Sequence, residues 1–289
     1  MGKEHKIKKR IRTVRNINQI TKAMEMTAAS KLRRAQGATL RSRIYAAHAR
    51  EVLAQLYLRA EGASHPLFGR RAGTRQLVIA FTSDRGLAGA YNSNVLKALL
   101  QMNLTGLKLI VVGQKGAQFA NKLQDQIEVV GVYTNWPVEV RPTDVRSLAA
   151  TAMELFTERL VDRVSLIYTD FESTLRQVVR VREILPIDPA AILSADEVTR
   201  AGRLETLFEP SVPEVLEYVV PRLIEVQIYQ ASLEATASEH AARMMAMKNA
   251  SDNAKDLASG LTLTFNSARQ AGITQELAEI SAGAEVVSL

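Results

Sequence analysis

From about Ser211 to the C-terminus, apolar or small residues return every three or four positions. They are Leu216, Val219, Leu223, Val226, Gln230, Leu233, Ala237, His240, Met244, Met247, Ser251, Ala254, Ala258, Leu261, Phe265, Ala268 and Gly272. The seam runs eight heptads, past the three or four that already argue for a coiled coil. A sustained 3.5-residue repeat imposes a left-handed supercoil. The pattern predicts one helix over roughly 211–283, about 110 Å long at 1.5 Å per residue. Its first half carries Leu, Val and Ile. Its second half carries Ala, Ser, Met and Gly, which bury little apolar area per residue. That composition suits either a weak coiled-coil stalk or a slender helix that slides against other surfaces. Ser211-Val-Pro-Glu214 has the capping-box spacing with Pro in the first turn, and so predicts the start. Pro221 predicts a kink or break near 217–221, because its ring clashes with the carbonyl of Glu217.

The N-terminus carries a second such pattern. Residues 3–59 contain no Pro and one internal Gly, Gly37. Ile7, Ile11, Val14, Ile17, Ile20, Met24 and Ala28 recur at steps of three and four, and Val52, Leu53, Leu56 and Leu58 close the segment. Gly62, His65, Pro66 and Gly69 then end it. Two long helices bracket the chain, and an antiparallel pair of the termini is the simplest arrangement. This gives three regions: an N-terminal helix over 1–60, a middle domain over 61–210, and a C-terminal helix over 211–289.

The middle region changes period. Short apolar runs rich in β-branched residues occur at 76–82, 107–112, 127–130, 164–169 and 177–185. Helical stretches at about 91–102, 115–124 and 143–160 lie between them. Strands alternating with helices mean βαβ units and a mainly parallel, Rossmann-like sheet. The alternation in 177–185 predicts an edge strand with one wet face. The turn Ser83-Asp-Arg-Gly-Leu-Ala-Gly89 follows the first strand but lacks the G-x-G-x-x-G spacing of a dinucleotide site. Gly113-Gln-Lys-Gly116 is equally weak. These glycines read as tight turns packed closely on the sheet, with Asp84 capping the turn that follows it.

Charge changes the picture. The chain carries a net +7. Residues 1–43 hold 13 bases and two acids, so that segment is +11 and the remainder −4. A basic helix of this kind faces nucleic acid, a membrane surface or an acidic protein. There is no Cys, hence no disulfide framework and no thiol nucleophile, and the four His residues show no metal-ligand spacing. No run of 18 apolar residues occurs and the N-terminus lacks a signal-peptide core, so the chain reads as cytoplasmic. No catalytic constellation and no cofactor site emerge. A basic coiled-coil nucleic-acid-binding protein is the alternative that the +11 helix leaves open.

Four segments then coincide with one family. Gln19-Ile-Thr-Lys-Ala-Met-Glu-Met26 with Ala28-Ala-Ser-Lys-Leu32, and Ser83-Asp-Arg-Gly-Leu-Ala-Gly89, resemble the gamma subunit of F-type ATP synthases. So do Ala237-Ser-Glu-His-Ala-Ala-Arg-Met-Met-Ala-Met-Lys-Asn-Ala-Ser-Asp-Asn-Ala254 and Phe265-Asn-Ser-Ala-Arg-Gln-Ala-Gly-Ile-Thr-Gln-Glu-Leu-Ala-Glu-Ile280. The resemblance implies a non-catalytic central rotor shaft, one copy per complex, on the cytoplasmic face of a bacterial cell membrane. Its terminal helices would stand in the hexamer of alpha and beta subunits. Its Rossmann-like domain would sit at the foot with the epsilon subunit, against the ring of c subunits. The basic helix would offer a field to acidic segments of the catalytic subunits. By the same resemblance Met24 lies near the acidic lever of the beta subunit, and Arg269 and Gln270 near its catch loop. Arg43, Tyr45, Phe208 and Glu209 match the foot on the c ring. Many relatives have Cys where this chain has Ala88, and the cysteines and insertion of photosynthetic relatives are missing here.

Overall fold

The computed structural model describes residues 2–59, 65–69, 71–188, 199 and 208–287. Gly62, and with it part of the expected end of the first helix, lies outside the described residues, as do 189–198 and 200–207 of the middle region. The chain divides into two compact units. One comprises 28–243 and contains the sheet; the other comprises 1–27 and 244–289 and contains helix alone.

The elements in order are α1 (Gly2–Arg59), β1 (Gln76–Phe81), α2 (Tyr91–Leu100), β2 (Leu107–Val112), α3 (Gln114–Ala120), β3 (Ile127–Tyr133), α4 (Arg146–Thr157), β4 (Arg163–Phe171), β5 (Gln177–Leu185) and α5 (Val212–Val287). Short 3-10 turns occupy Pro66–Phe68 and Pro142–Val145. The sheet order is β3-β2-β1-β4-β5. β1 pairs in parallel with β2 and β4, β2 pairs in parallel with β3, and β5 closes the edge antiparallel to β4. This is the mainly parallel sheet with an edge strand that the run lengths predict. On β5 Arg180, Val181 and Glu183 are exposed while Ile184 and Leu185 are buried, so its wet face is confined to the strand's middle.

Strand period two divides the core. Leu77, Ile79 and Phe81 face one side of β1, with Leu148, Ala152 and Phe156 of α4 and Leu216, Val220, Ile224 and Ile228 of α5. Val78 and Ala80 face the other, with Val95 and Leu99 of α2 and Ala120 of α3. Burial on both faces is why the central strands are unbroken apolar runs rather than alternating ones.

α5 begins where the capping residues predict: the Glu214 amide donates to Ser211 Oγ at 3.4 Å, and that hydroxyl lies 2.9 Å from Glu214 Oε1. The expected break at Pro221 is absent, and the helix is uninterrupted through it. Leu216, Val220 and Ile224, all 2% exposed or less, press this stretch onto the sheet's core. Burial of three large side chains, each contributing about 1.5–3 kcal/mol, outweighs one lost backbone bond.

In the helical unit the two strands of helix run antiparallel. Asn18 Nδ2 donates to Ser251 O at 2.6 Å and to Ser251 Oγ at 3.0 Å, and Gly272 faces the Glu4 carboxylate. Ser251 and Ala254 are buried, and Ala258, Leu261, Phe265, Ala268 and Gly272 are half-buried. Residues between them are exposed apart from Thr262, so the predicted small-residue seam is the contact stripe. On α1 the phase differs from expectation. Ile11 is buried and Ile7 and Val14 half-buried, but Ile17 and Ile20 are 46% and 60% exposed. Asn18 and Thr21 take the inward positions instead. A polar residue at one seam position pins register at a cost in burial, and the Asn18–Ser251 bonds do that here.

Candidate functional site

Two places carry chemistry. The first is the surface of the helical unit. Lys8, Lys9, Arg10, Arg12 and Arg15 of α1 are exposed and form no ion pair among the described residues. Within the same basic segment, Lys22 pairs with Glu25 at 3.0 Å, and in the other unit Arg34 reaches Glu139 at 3.4 Å. Exposed pairs of this kind contribute little, so most of the +11 is unanswered. Met24 is half-buried, while Arg269 and Gln270 are exposed. The register set by Asn18 and Ser251 puts Met24 and Arg269 roughly 35 Å apart along the helix axis, so they cannot form one contact point. Beyond Gly272 the described side chains from Ile273 to Ser281 are exposed, including Leu277 and Ile280.

The second place is in the sheet unit, where α5 meets the loops at the carboxyl ends of β1 and β2. The expected cap by Asp84 on its own turn is not what forms. Asp84 Oδ1 accepts from the amides of Gln114 and Asn135, each at 3.0 Å, and Oδ2 from the Trp136 amide at 2.8 Å. One carboxylate thus joins the start of α3 to the loop after β3. Asn92 holds Ser83 by bonds of 2.8–3.1 Å, and Ser83 Oγ also donates to Arg85 O at 2.7 Å. Gly86 makes no close approach: a Cβ there would be in ordinary contact with Lys115 Cε at 3.9 Å. The close approach is at Gly113 and Gly116, which lie against Thr82.

α5 is clamped to these loops and to β4 by polar bonds. Trp136 Nε1 donates to Ser232 Oγ at 2.8 Å, and Ser238 Oγ donates to Thr169 O at 2.9 Å. Arg243 donates to Arg85 O at 3.1 Å and to Gly86 O, and pairs with Glu239 at 2.6 Å. Burial raises the Glu239 carboxyl above its ordinary value, against the opposing pull of Arg243. Burial, with Arg243 and Lys31 nearby, lowers His240 to about 4. Lys31, Phe81, Thr82, Tyr91, Val112, Trp136, His240 and Arg243 line a cleft of about 280 Å³ here. None of its side chains forms a nucleophile–base pair, and no cluster of three His, Cys, Asp or Glu suited to a metal exists among the described residues. Asp84→Ala should strand three backbone donors and destabilise the chain by about 2 kcal/mol. Denaturant unfolding checks the size, and faster amide exchange at Asn135 and Trp136 should identify the site.

At the other end of the sheet unit, Tyr45 is 59% exposed and Ile44 63%. Tyr45 lines an apolar groove with Val52, Tyr218, Val219 and Arg222. Phe208 is half-buried against the sheet's core and Glu209 is exposed. The side chain of Arg43 lies outside the described residues. Tyr218, 80% exposed, belongs to this surface and sequence reasoning missed it. Its signal was an aromatic off the seam of α5.

Comparison with known proteins agrees along the whole chain. A family model described as ATP synthase matches residues 3–287. The chain is 40% identical to an ATP synthase gamma chain of Herpetosiphon aurantiacus, covering all of both. It is 40% identical to one from Trichlorobacter lovleyi, covering 97% of each. Among solved structures, a chain of the Tetrahymena thermophila mitochondrial ATP synthase central stalk and c-ring matches with TM-score 0.59 and 26% identity, over 80% of this chain and 99% of that one. A chain from the Euglena gracilis mitochondrial ATP synthase, at 20% identity and TM-score 0.68 over 99% of this chain and 95% of that one, shares the fold. No helix among the described residues is long and apolar enough to cross a membrane.

Proposed function

The chain belongs to the ATP synthase gamma chain family, and from that membership we propose which of its surfaces do the work of a central rotor. A gamma chain is a non-catalytic subunit. It couples rotation of the c ring, driven by ion flow, to conformational cycling of the alpha/beta hexamer, and it meets epsilon at its foot. The observation that carries this reading is the 40% identity to a gamma chain over the full length of both chains. The nucleic-acid reading of the basic helix has no support beside it.

An asymmetric rod inside a three-fold hexamer presents a different face to each catalytic site. Each site is biased toward a different conformation, and the bias turns with the rod. In our proposal the exposed bases of α1 supply an unpaired positive field to acidic segments of the hexamer. Met24 meets the acidic lever of beta, and Arg269 with Gln270 meets the catch loop nearer the tip. Arg43, Tyr45, Phe208 and Glu209 form the grip on the c ring, and the exposure of Tyr45 beside Tyr218 supports that role for this end. The helix over 1–60, the foot over 61–210 and the helix over 211–289 then act as shaft, foot and shaft. We place the assembled subunit at the cytoplasmic face of the cell membrane.

Met24→Lys tests the lever. Lysine can thread its stem along the seam and reach solvent with its ammonium. There it would pair with the acidic lever and resist rotation by about 1–3 kcal/mol. ATP hydrolysis and proton pumping, assayed side by side in membranes, should show assembly intact, pumping lowered relative to hydrolysis, and a steeper temperature dependence. Arg269→Ala should act in the same direction by less. Loss of both activities in strict proportion to assembled complex would make these residues structural and sink the assignment.

A further inference from the structure

The cleft between α5 and the carboxyl ends of β1 and β2 has a surplus of hydrogen-bond donors. Three of the four carboxylate oxygens of Asp84 and Glu239 are engaged. Both Asp84 oxygens accept backbone amides, and Glu239 Oε1 is held by Arg243. The Arg243 guanidinium is itself used up on Glu239, Arg85 O and Gly86 O. Besides the Arg85 guanidinium, which lines the cleft with no ion pair among the described residues, three donors are left over. Tyr91 is 5% exposed, lines the cleft, and its hydroxyl makes no hydrogen bond among the described residues. His240 is 4% exposed, and its Nδ1 lies 3.4 Å from Arg243 Nη1. Arginine can only donate, so Nδ1 accepts and the ring proton sits on Nε2, which has no partner among the described residues. Lys31, partly exposed, supplies an ammonium with no ion pair among the described residues.

Neither the Tyr91 hydroxyl nor His240 Nε2 is sealed from solvent, so on two otherwise buried side chains both donors stay accessible to a ligand. The rest of the lining is mixed: Phe81, Val112, Trp136, Pro137 and Val138 make an apolar wall, and Thr82, Asn135 and Thr236 add polar groups. A cleft of about 280 Å³ lies just under the usual range for drug-sized ligands and suits a smaller one. We propose that this cleft binds a small carboxylate with an apolar body, the carboxylate on Tyr91, His240 and Lys31 and the body against Phe81 and Trp136. Inorganic phosphate would satisfy the donors but leave the aromatic lining unfilled. The inference does not depend on the rotor reading, because it rests only on groups inside the sheet unit.

Trp136 is the chain's only tryptophan, so its emission reports on the cleft directly. The full chain is titrated with pivalate, with neutral pivalamide, and with inorganic phosphate, while saturation transfer to the pivalate methyl protons gives a second readout. Saturable binding of pivalate in the millimolar range is expected, with at least tenfold weaker binding of pivalamide. Tyr91→Phe removes a hydroxyl that holds nothing else, and Lys31→Gln removes the charge. Each should weaken pivalate at least fivefold with the unfolding midpoint unchanged for Tyr91→Phe. No saturable pivalate binding, equal binding of pivalamide, unchanged affinity in both variants, or saturation by phosphate alone would each overturn the proposal.

Discussion

Gly113→Ala should cost the α/β domain a large part of its stability. Gly113 has φ 98° and ψ 142°, a conformation open in practice only to glycine. An added Cβ would stand 2.6 Å from the Thr82 carbonyl carbon and 2.7 Å from Thr82 Oγ1. Thr82 cannot give way cheaply. Its amide and its hydroxyl both donate to Val112 O at 2.8 Å, and its hydroxyl accepts the Gly116 amide at 2.9 Å. Backbone strain of about 1–3 kcal/mol and a clash against fixed backbone together should remove roughly 3–5 kcal/mol. That is a large share of the 5–15 kcal/mol by which domains are stable. Gly106→Ala is the control, since Gly106 also has positive φ, 69°, but open space around it. Denaturant midpoints of the full chain should separate them, with Gly106→Ala losing about 1 kcal/mol. Equal losses would mean that the approach to Thr82 contributes nothing.

The second large effect is pH-dependent and centres on His240. Its folded value is about 4, lowered first by burial and then by Arg243 and Lys31, against 6.5 when free. Between those values the unfolded chain binds a proton there that the folded chain does not. Stability therefore rises with pH across the window from about 4 to 6.5, and falls on acidification, by about 3 kcal/mol at most. Glu239 opposes this slope, because its raised folded value makes the folded chain bind the extra proton above pH 4.5. Asp84 and Arg243 also face the site, Asp84 through its effect on Glu239. The His240 contribution is isolated by difference. His240→Gln should flatten the rise in unfolding free energy between pH 4 and 6.5 while sparing any slope from Glu239. A variant whose pH profile parallels the parent's would show that His240 is protonated equally in both states.

The long helices, their seam on α5, the strands and the mainly parallel sheet were legible in the chain because each is written in local periodicity. Seven-residue recurrence needs no knowledge of the partner, and nor does an apolar run too short for a helix. The capping residues of α5 were legible for the same reason, since Ser211 and Glu214 act on each other within one turn. Legible too was the family, through motifs that cover both helices and the first loop. The phase of α1 was not. Ile17 and Ile20 fit steps of three and four as well as Asn18 and Thr21 do, and hydrophobicity favoured the wrong pair.

What the sequence determined by itself is the class of object: a basic helix, a parallel sheet and a small-residue seam, each a property of near neighbours. Tertiary structure alone decided which face of α1 turns inward, because only Ser251 on the other helix gives Asn18 its partners. It decided that Pro221 does not interrupt α5, because burial of Leu216, Val220 and Ile224 exceeds the cost of one backbone bond. It also decided what Asp84 holds. Its three amide partners lie 30, 51 and 52 residues away in sequence, and a carboxylate's choice among distant donors is set by where the sheet brings them.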